Sequence, residues 1–305
     1  MIKKTHYGRR FLRTYLLCSC WLILCLAGCS GDAGPISAAR YVEPDKLFQA
    51  LEGNVRANSR LEIIAQIDHS RLAAQAGSSM PPAHVLIWSD PELEAAILKH
   101  APLAAIDLPL RALAYEDQGS RSASVIANNF EYLINRYALP DQAGLHDRYE
   151  SAIATAMEGI PQTAIAQFPS DAMPDNGLVT LDSPFDYTIT EKRIREAIDA
   201  QSDTVNFGIV DFAARSRKYG VDLRPLQLIL FGGPGPGGQA MASAPTLGLD
   251  AFCQKLLIWE DANGNVHVTF NDLMTIAERQ QVSIGIPLRV INWRLKSTFA
   301  DALEQ

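Results

Sequence analysis

Asp68-His69 and Asp107 are the residues whose types best suit proton transfer in this chain of 305 residues. A carboxylate that fixes an imidazole's tautomer lets the ring exchange a proton near neutral pH. The packing alternative gives them plainer work. Asp68, like Asp211 further on, then caps a strand end where a helix starts, and His69 is a partly exposed first helical residue. A second candidate is FGGPGPGGQAM, Phe231 to Met241, with five glycines in seven positions. A Walker loop needs Lys-Ser/Thr after its last glycine, and a dinucleotide loop needs G-x-G-x-x-G opening a helix in a βαβ unit. Here Gln239-Ala240 follows Gly238 and prolines stand at 234 and 236, so neither motif is met. Gly232, Pro234, Gly237 and Gly238 are read as a sharp turn from a strand into a short helix, able to let a ligand approach the backbone. His84 and His100 are isolated in sequence, no H-E-x-x-H, C-x-x-C or clustered carboxylates occur, and G-x-S-x-G is absent, so no metal and no cofactor is expected. Cys253 reads as a small buried hydrophobe.

The elements that must position these residues come in two copies. Laying residues 67–139 over 210–282 at an offset of 143 pairs Ile67-Asp68 with Val210-Asp211, Gly77 with Gly220, Pro91 with Pro234 and Asp107 with Asp250. After a one-residue insertion, Tyr115-Glu116-Asp117 meets Trp259-Glu260-Asp261. Asn128 and Arg136 then meet Asn271 and Arg279. Matches in unchanged order over this length mark an internal repeat.

In the second copy, Thr188-Ile-Thr-Glu191 reads as a capping box opening a helix to about Gln201. Thr204–Val210 reads as a strand, Phe212–Tyr219 as a short helix ended by Gly220, and Leu226–Phe231 as a buried strand. Asn263-Gly264 turns a hairpin, a helix follows from Asp272 to Gln280, and Pro287 opens a last helix with Leu288, Ile291, Leu295 and Phe299 on one stripe. The first copy echoes this with a helix over Pro44–Val55, a strand over Leu61–Ile67 and a terminal helix over Leu145–Met157. Strands interspersed with helices and hairpins predict an α+β fold: two tandem copies of a small domain, each an antiparallel sheet packed by helices, arranged as a pseudo-dimer. Trp88 and Trp259 fall in core strands.

The N-terminus carries Lys3, Lys4, Arg9, Arg10 and Arg13 with no acid, then an apolar run from Tyr15 to Ala27 too short to span a bilayer. Leu26-Ala27-Gly28-Cys29 resembles the lipobox of bacterial lipoproteins, in which the cysteine sulfur is acylated after cleavage. The divisions follow: signal peptide 1–28, lipidated linker 29–41, first repeat 42–160, linker 161–177, second repeat 178–305. Several acyl chains hold a protein to a membrane stably where one does not. Ser30 after the cysteine resembles the Gram-negative outer-membrane pattern, so the expected place is the cell envelope, facing the periplasm. Of five cysteines only Cys253 then stays free, and no intramolecular disulfide can form. The 27 basic residues less the leader's 5 leave 22 against 34 acids, a net charge of −12. Such a surface repels nucleic acid.

IDHSRLAAQAG, PPAHVLIWSDP and APLAAIDLPLRALAYED in the first copy resemble segments of the bacterial family called domain of unknown function 302. So do VDFAARSRKYG, LRPLQLILFGGPGPGGQAM and APTLGLDAFCQKLLIWED in the second. The resemblance covers most of the chain beyond the leader and implies a small α+β fold with an antiparallel sheet, often dimeric, with no settled activity. The first copy keeps Asp68-His69 and Asp107-Leu108-Pro109 but has Ser89-Asp90-Pro91 in place of the glycine turn. The second keeps the turn but has Phe212 in place of the histidine. The expected function is therefore a non-catalytic envelope protein that binds a small ligand or a protein partner. The alternative is an enzyme whose composite site joins His69 and Asp107 of one copy to the 232–238 turn of the other.

Overall fold

In the first copy, Phe48, Leu51 and Val55 are spaced to share one face, and helix α1 (Ala38–Ala57) buries that face against the sheet. The computed structural model describes residues 36–140, 143–171 and 173–304. The leader and Cys29 lie outside these residues. Helix α1 starts six residues before the expected Pro44, inside the stretch read as linker, and keeps that proline within it.

Strand β1 (Glu62–Asp68), helix α2 (His69–Gln75), strand β2 (Ala83–Ser89) and helix α3 (Pro91–Leu98) follow. Then come β3 (Leu110–Glu116), β4 (Ala123–Ala127), α4 (Phe130–Tyr137) and α5 (Ala143–Ala156). The linker supplies a short strand, β5 (Ile165–Ala166), which pairs parallel with β4. It is thus partly a piece of the first sheet, whose order is β1-β2-β3-β4-β5. Apart from β5 the neighbours are antiparallel, as meander connections allow.

The second copy begins with β6 (Leu178–Ser183), a strand the repeat pattern does not forecast, and continues with α6 (Tyr187–Asp199), β7 (Val205–Asp211), α7 (Phe212–Arg217), β8 (Leu226–Gly232) and α8 (Pro234–Met241). β9 (Gln254–Glu260), β10 (Val266–Asn271), α9 (Leu273–Arg279) and α10 (Ile286–Ala302) complete it. The sheet order is β6-β10-β9-β8-β7. The expected capping box at Thr188 is corrected. Asp186 is the cap, its side chain accepting from the Ile189 amide, and the Thr190 hydroxyl is turned inward onto the Asp186 carbonyl. Leu288, Ile291, Leu295 and Phe299 are buried along α10 as their spacing requires.

The repeat is exact enough to reproduce irregularities. β1 and β7 each carry a bulge, between Ile63 and Ala65 and between Asn206 and Gly208. The two copies meet by exchange: α2 of the first packs on α8 of the second, α3 on α7, and β1 lies beside β7. The 3-10 turn Pro102–Ile106 lies against β8, β9 and β10, while its counterpart Pro245–Gly248 lies against β2 and β3. Each copy thus contributes the same parts to the other, which is pseudo-two-fold packing. All these contacts fall within one unit, Pro35–Gln305. Among the described residues, no helix is long and apolar enough to cross a membrane.

Candidate functional site

The glycine turn and the Asp-His pair do meet. β8 ends at Gly232, Gly233 caps α8, and Pro234 stands in its first turn. His69, the first residue of α2, shares a cavity with Gly232, Gly237, Met241, Phe252 and Cys253. The space left between them is about 20 Å³, enough for one water. His69 is 6% exposed, so it is more buried than its place at a helix start suggests. Its Nε2 lies 3.1 Å from the Gly248 carbonyl oxygen. A carbonyl only accepts, so Nε2 carries the proton and Nδ1 the lone pair. Burial pushes the imidazole down to about 4, against the raising effect of the Gly248 bond, so the ring is neutral at pH 7.

Two glycines are required by close approach. A β-carbon on Gly238 would sit 2.4 Å from the Ala73 side chain, and one on Gly248 would sit 2.8 Å from His69 Cδ2. The Ser78 hydroxyl donates to the Gly235 carbonyl at 2.8 Å. The glycines of α8 therefore let two helices touch backbone to backbone across the interface; no phosphate cradle is formed.

Asp68 and Asp107 do not join His69 as acid and base. Asp68 caps α2, accepting from the Arg71 amide at 2.9 Å and the Ser70 hydroxyl at 2.8 Å, and Asp211 caps α7 in the same way. The Asp68 carboxylate also contacts the Arg71 guanidinium, which reaches on to Asp45 at 2.7 Å. Asp45, Asp68 and His84 bring three ligand atoms within 4.8 Å of one another, but Arg71 is the cation that the two carboxylates hold.

Asp107 lies in a buried charge network at the centre of the interface. Its carboxylate accepts from Arg111, from Arg136 Nη1 at 2.7 Å and from the Tyr137 hydroxyl at 2.7 Å. Its counterpart Asp250 accepts from Arg111 Nη2 at 3.2 Å, Arg279 Nη1 at 3.1 Å and Asn128 Nδ2 at 2.9 Å. The asparagines cross over. Asn128 of the first copy accepts from Arg279 of the second at 2.9 Å, and Asn271 of the second accepts from Arg136 of the first at 2.7 Å. Burial raises both carboxyls, but the guanidiniums outweigh it and hold them below the ordinary carboxylate range. Lys255, placed on β9 as Arg111 is on β3, is buried too; burial and Arg111 push its amine down to about 7. Cys253 is buried and its thiol is pushed up to about 12, so it is the inert hydrophobe its sequence suggests.

One buried acid belongs to no sequence motif. Glu94 on α3 is 1% exposed; no well-formed hydrogen bond reaches its carboxyl oxygens, and the Ser89 side chain beside it is itself held by Arg215. Glu94 stands where Gly237 stands in the other copy, and Arg215 of α7 is nearby, donating to Ser89 Oγ at 2.8 Å and Glu62 at 2.9 Å. Burial pushes the carboxyl up to about 7. A carboxyl raised on folding stabilises the fold below its unfolded value and loses that contribution as pH rises through about 7. Glu94→Gln should therefore unfold at a higher denaturant midpoint than the parent at pH 8 and differ little at pH 5. Equal differences at both pH values would show that Glu94 does not titrate in this range.

A larger hollow lies elsewhere. A groove of about 700 Å³ runs beside the N-terminal end of α1, lined by Arg40, Pro44, Leu47, Glu116, Arg121 and Pro161. Arg40 and Arg121 both contact the Glu116 carboxylate, at 2.5 and 2.9 Å. Nothing in the sequence motifs points to it, because its walls come from α1, the β3–β4 hairpin and the linker.

Two exchanged α+β repeats closing on a shared polar centre define a tandem-domain protein. The family model of DUF302, a domain of unknown function, matches residues 38–159 and 179–294, and the chain belongs to that family. Over 118 residues it is 36% identical to the fluoride-specific ion channel FluC 1 of Brucella suis biovar 1 (strain 1330), covering 38% of this chain and 45% of that protein. It is equally similar, at 36% over 118 residues, to the protein of the same name from Brucella abortus biovar 1 (strain 9-941), covering 38% of this chain and 43% of that one. The match spans less than half the length of these curated relatives. A solved structure, an uncharacterized conserved DUF302 protein from Bacillus stearothermophilus, aligns with a TM-score of 0.35 at 15% identity over 42% of this chain and 95% of that one.

Proposed function

We propose that this protein is an envelope lipoprotein, held through acylated Cys29 on the outer membrane facing the periplasm, whose paired repeats bind a small ligand without catalysis. The observation that carries the binding reading is the groove of about 700 Å³, the size of a small-molecule site, whose lining joins Pro44, Leu47, Ala123 and Pro161 to Arg40 and Arg121. Two arginines set against two glutamates on an otherwise mostly apolar lining favour an amphiphilic ligand. Of the groove's two carboxylates, Glu43 receives Lys46, and Glu116 is tied to both arginines and lowered by them, so it serves poorly as a base. Fluoride conduction, which the names of the Brucella proteins state, is not carried over, because the match leaves more than half of each outside it.

The second reading is the composite enzyme, and what favours it is that His69 and the 232–238 turn line one cavity. Against it stand the volume, one water, and Asp107's engagement with Arg111 and Arg136. Mass spectrometry of small molecules carried through purification separates the two. Leu47→Trp, which fills the groove, should lose the ligand, and His69→Ala should keep it; the opposite pattern would move the site to the interface. The anchor has its own test: after a salt wash, Cys29→Ala should no longer sediment with membranes.

A further inference from the structure

Three side chains stand out on the surface of the second copy. Ile286, Val290 and Trp293 are 77%, 53% and 69% exposed, more than any other large hydrophobic among the described residues. At spacings of four and three they share the outer face of α10, opposite the buried stripe of Leu288, Ile291, Leu295 and Phe299. Between Ile286 and Ala300 the helix has no carboxylate, although the chain as a whole is acidic, and Arg289 is exposed beside the apolar stripe. Such a segment in a negatively charged protein is a local exception in both polarity and sign.

We propose that the outer face of α10 docks on a lipid bilayer, with Trp293 at headgroup depth, Ile286 and Val290 beneath it, and Arg289 on the phosphates. Tryptophan with aliphatic neighbours and flanking cations is the composition of helices that lie in a membrane interface. The patch suits a bilayer better than a second copy of the chain. Its three side chains present on the order of 400 Å², about half of the 800 Å² per partner that a stable protein interface buries. The inference also rests on the envelope reading: from Cys29 to Ile36, the first described residue, seven residues reach at most about 25 Å, which keeps the folded body near the membrane that holds the acyl chains.

The test uses a chain of residues Pro35–Gln305, the unit that contains both sheets and their shared network, so that neither the leader nor Cys29 contributes. Trp88 is fully buried and Trp259 half-buried in that chain, leaving Trp293 as its exposed indole. Mixing with phosphatidylcholine vesicles, with and without phosphatidylglycerol, should shift its emission to the blue, and brominated acyl chains should quench it. Ile286→Ser with Val290→Ser, which keeps the reporter, should weaken vesicle binding by roughly tenfold or more with an unchanged unfolding midpoint. Absence of any shift on both vesicle types would overturn the proposal. So would a blue shift that follows protein concentration without lipid and accompanies a doubled mass, since α10 would then be a self-association face. Cys29→Ala fractionation reports on the anchor separately, so failure of the docking face and failure of the anchor are told apart.

Discussion

Asp250→Ala should destabilise the protein by about 3–5 kcal/mol, the usual cost of removing one partner from a buried ion network. Asp250 is fully buried and its two oxygens receive Arg111, Asn128, Arg279 and Gln280. Without it Arg279 keeps Asn128, the Pro169 carbonyl and the face of the Tyr132 ring but no carboxylate, and Arg111 keeps Asp107 and, at 3.4 Å, the Ile106 carbonyl. Urea unfolding should show a lower midpoint with little change in slope. The sign with pH is opposite to that of Glu94. A carboxyl lowered on folding contributes above its unfolded value near 3.8 and loses the contribution as pH falls toward its folded value. The gap between the parent and Asp250→Asn should therefore narrow in acid. An Asp250→Ala midpoint matching the parent at pH 7 would mean that the network adds no net stability.

Gly238→Ala should cost about 1–3 kcal/mol, and more if the helices cannot separate, because a methyl there meets the Ala73 methyl at 2.4 Å. Neither partner has a rotamer to escape into, since both are β-carbons. Ala73→Gly should restore most of the loss in the double variant, giving a coupling energy that a purely helix-propensity effect would not produce. Both substitutions lie on the α2–α8 contact, so a change confined to one copy's own stability would show no such coupling.

Much of this interface was legible in the sequence. The identities that survive at offset 143, Asp107 with Asp250, Asn128 with Asn271 and Arg136 with Arg279, build the buried network: Asp250, Asn128, Asn271, Arg136 and Arg279 bond across the copies, and Asp107 holds Arg111 and Arg136 of its own. A residue that must pair with its own counterpart's surroundings cannot drift alone, and that is why these matches stood out. The proton-transfer role suggested for Asp107 is not what the fold gives it, since Arg111, Arg136 and Tyr137 of its own copy take its oxygens. Glu94 left no signal, because its burial is set by α7 of the other copy, more than 110 positions away in the chain. Strands β5 and β6 were missed for a related reason: they lie at the linker, outside the repeated pattern, and owe their state to β4 and β10.

The arginines also hold the linker. Arg136 donates to the carbonyls of Asn176 and Gly177, and Arg279 to that of Pro169. A ribosome completes Asp107, Arg111, Asn128 and Arg136 before it has begun Asp250 or Asn271. Until residue 279 emerges, the first half carries a charged, unsealed face and its linker has only one of its two clasps. The network therefore closes only when the second repeat is present, and a truncation between the repeats leaves Asn128 and Arg136 without the partners that the second copy supplies.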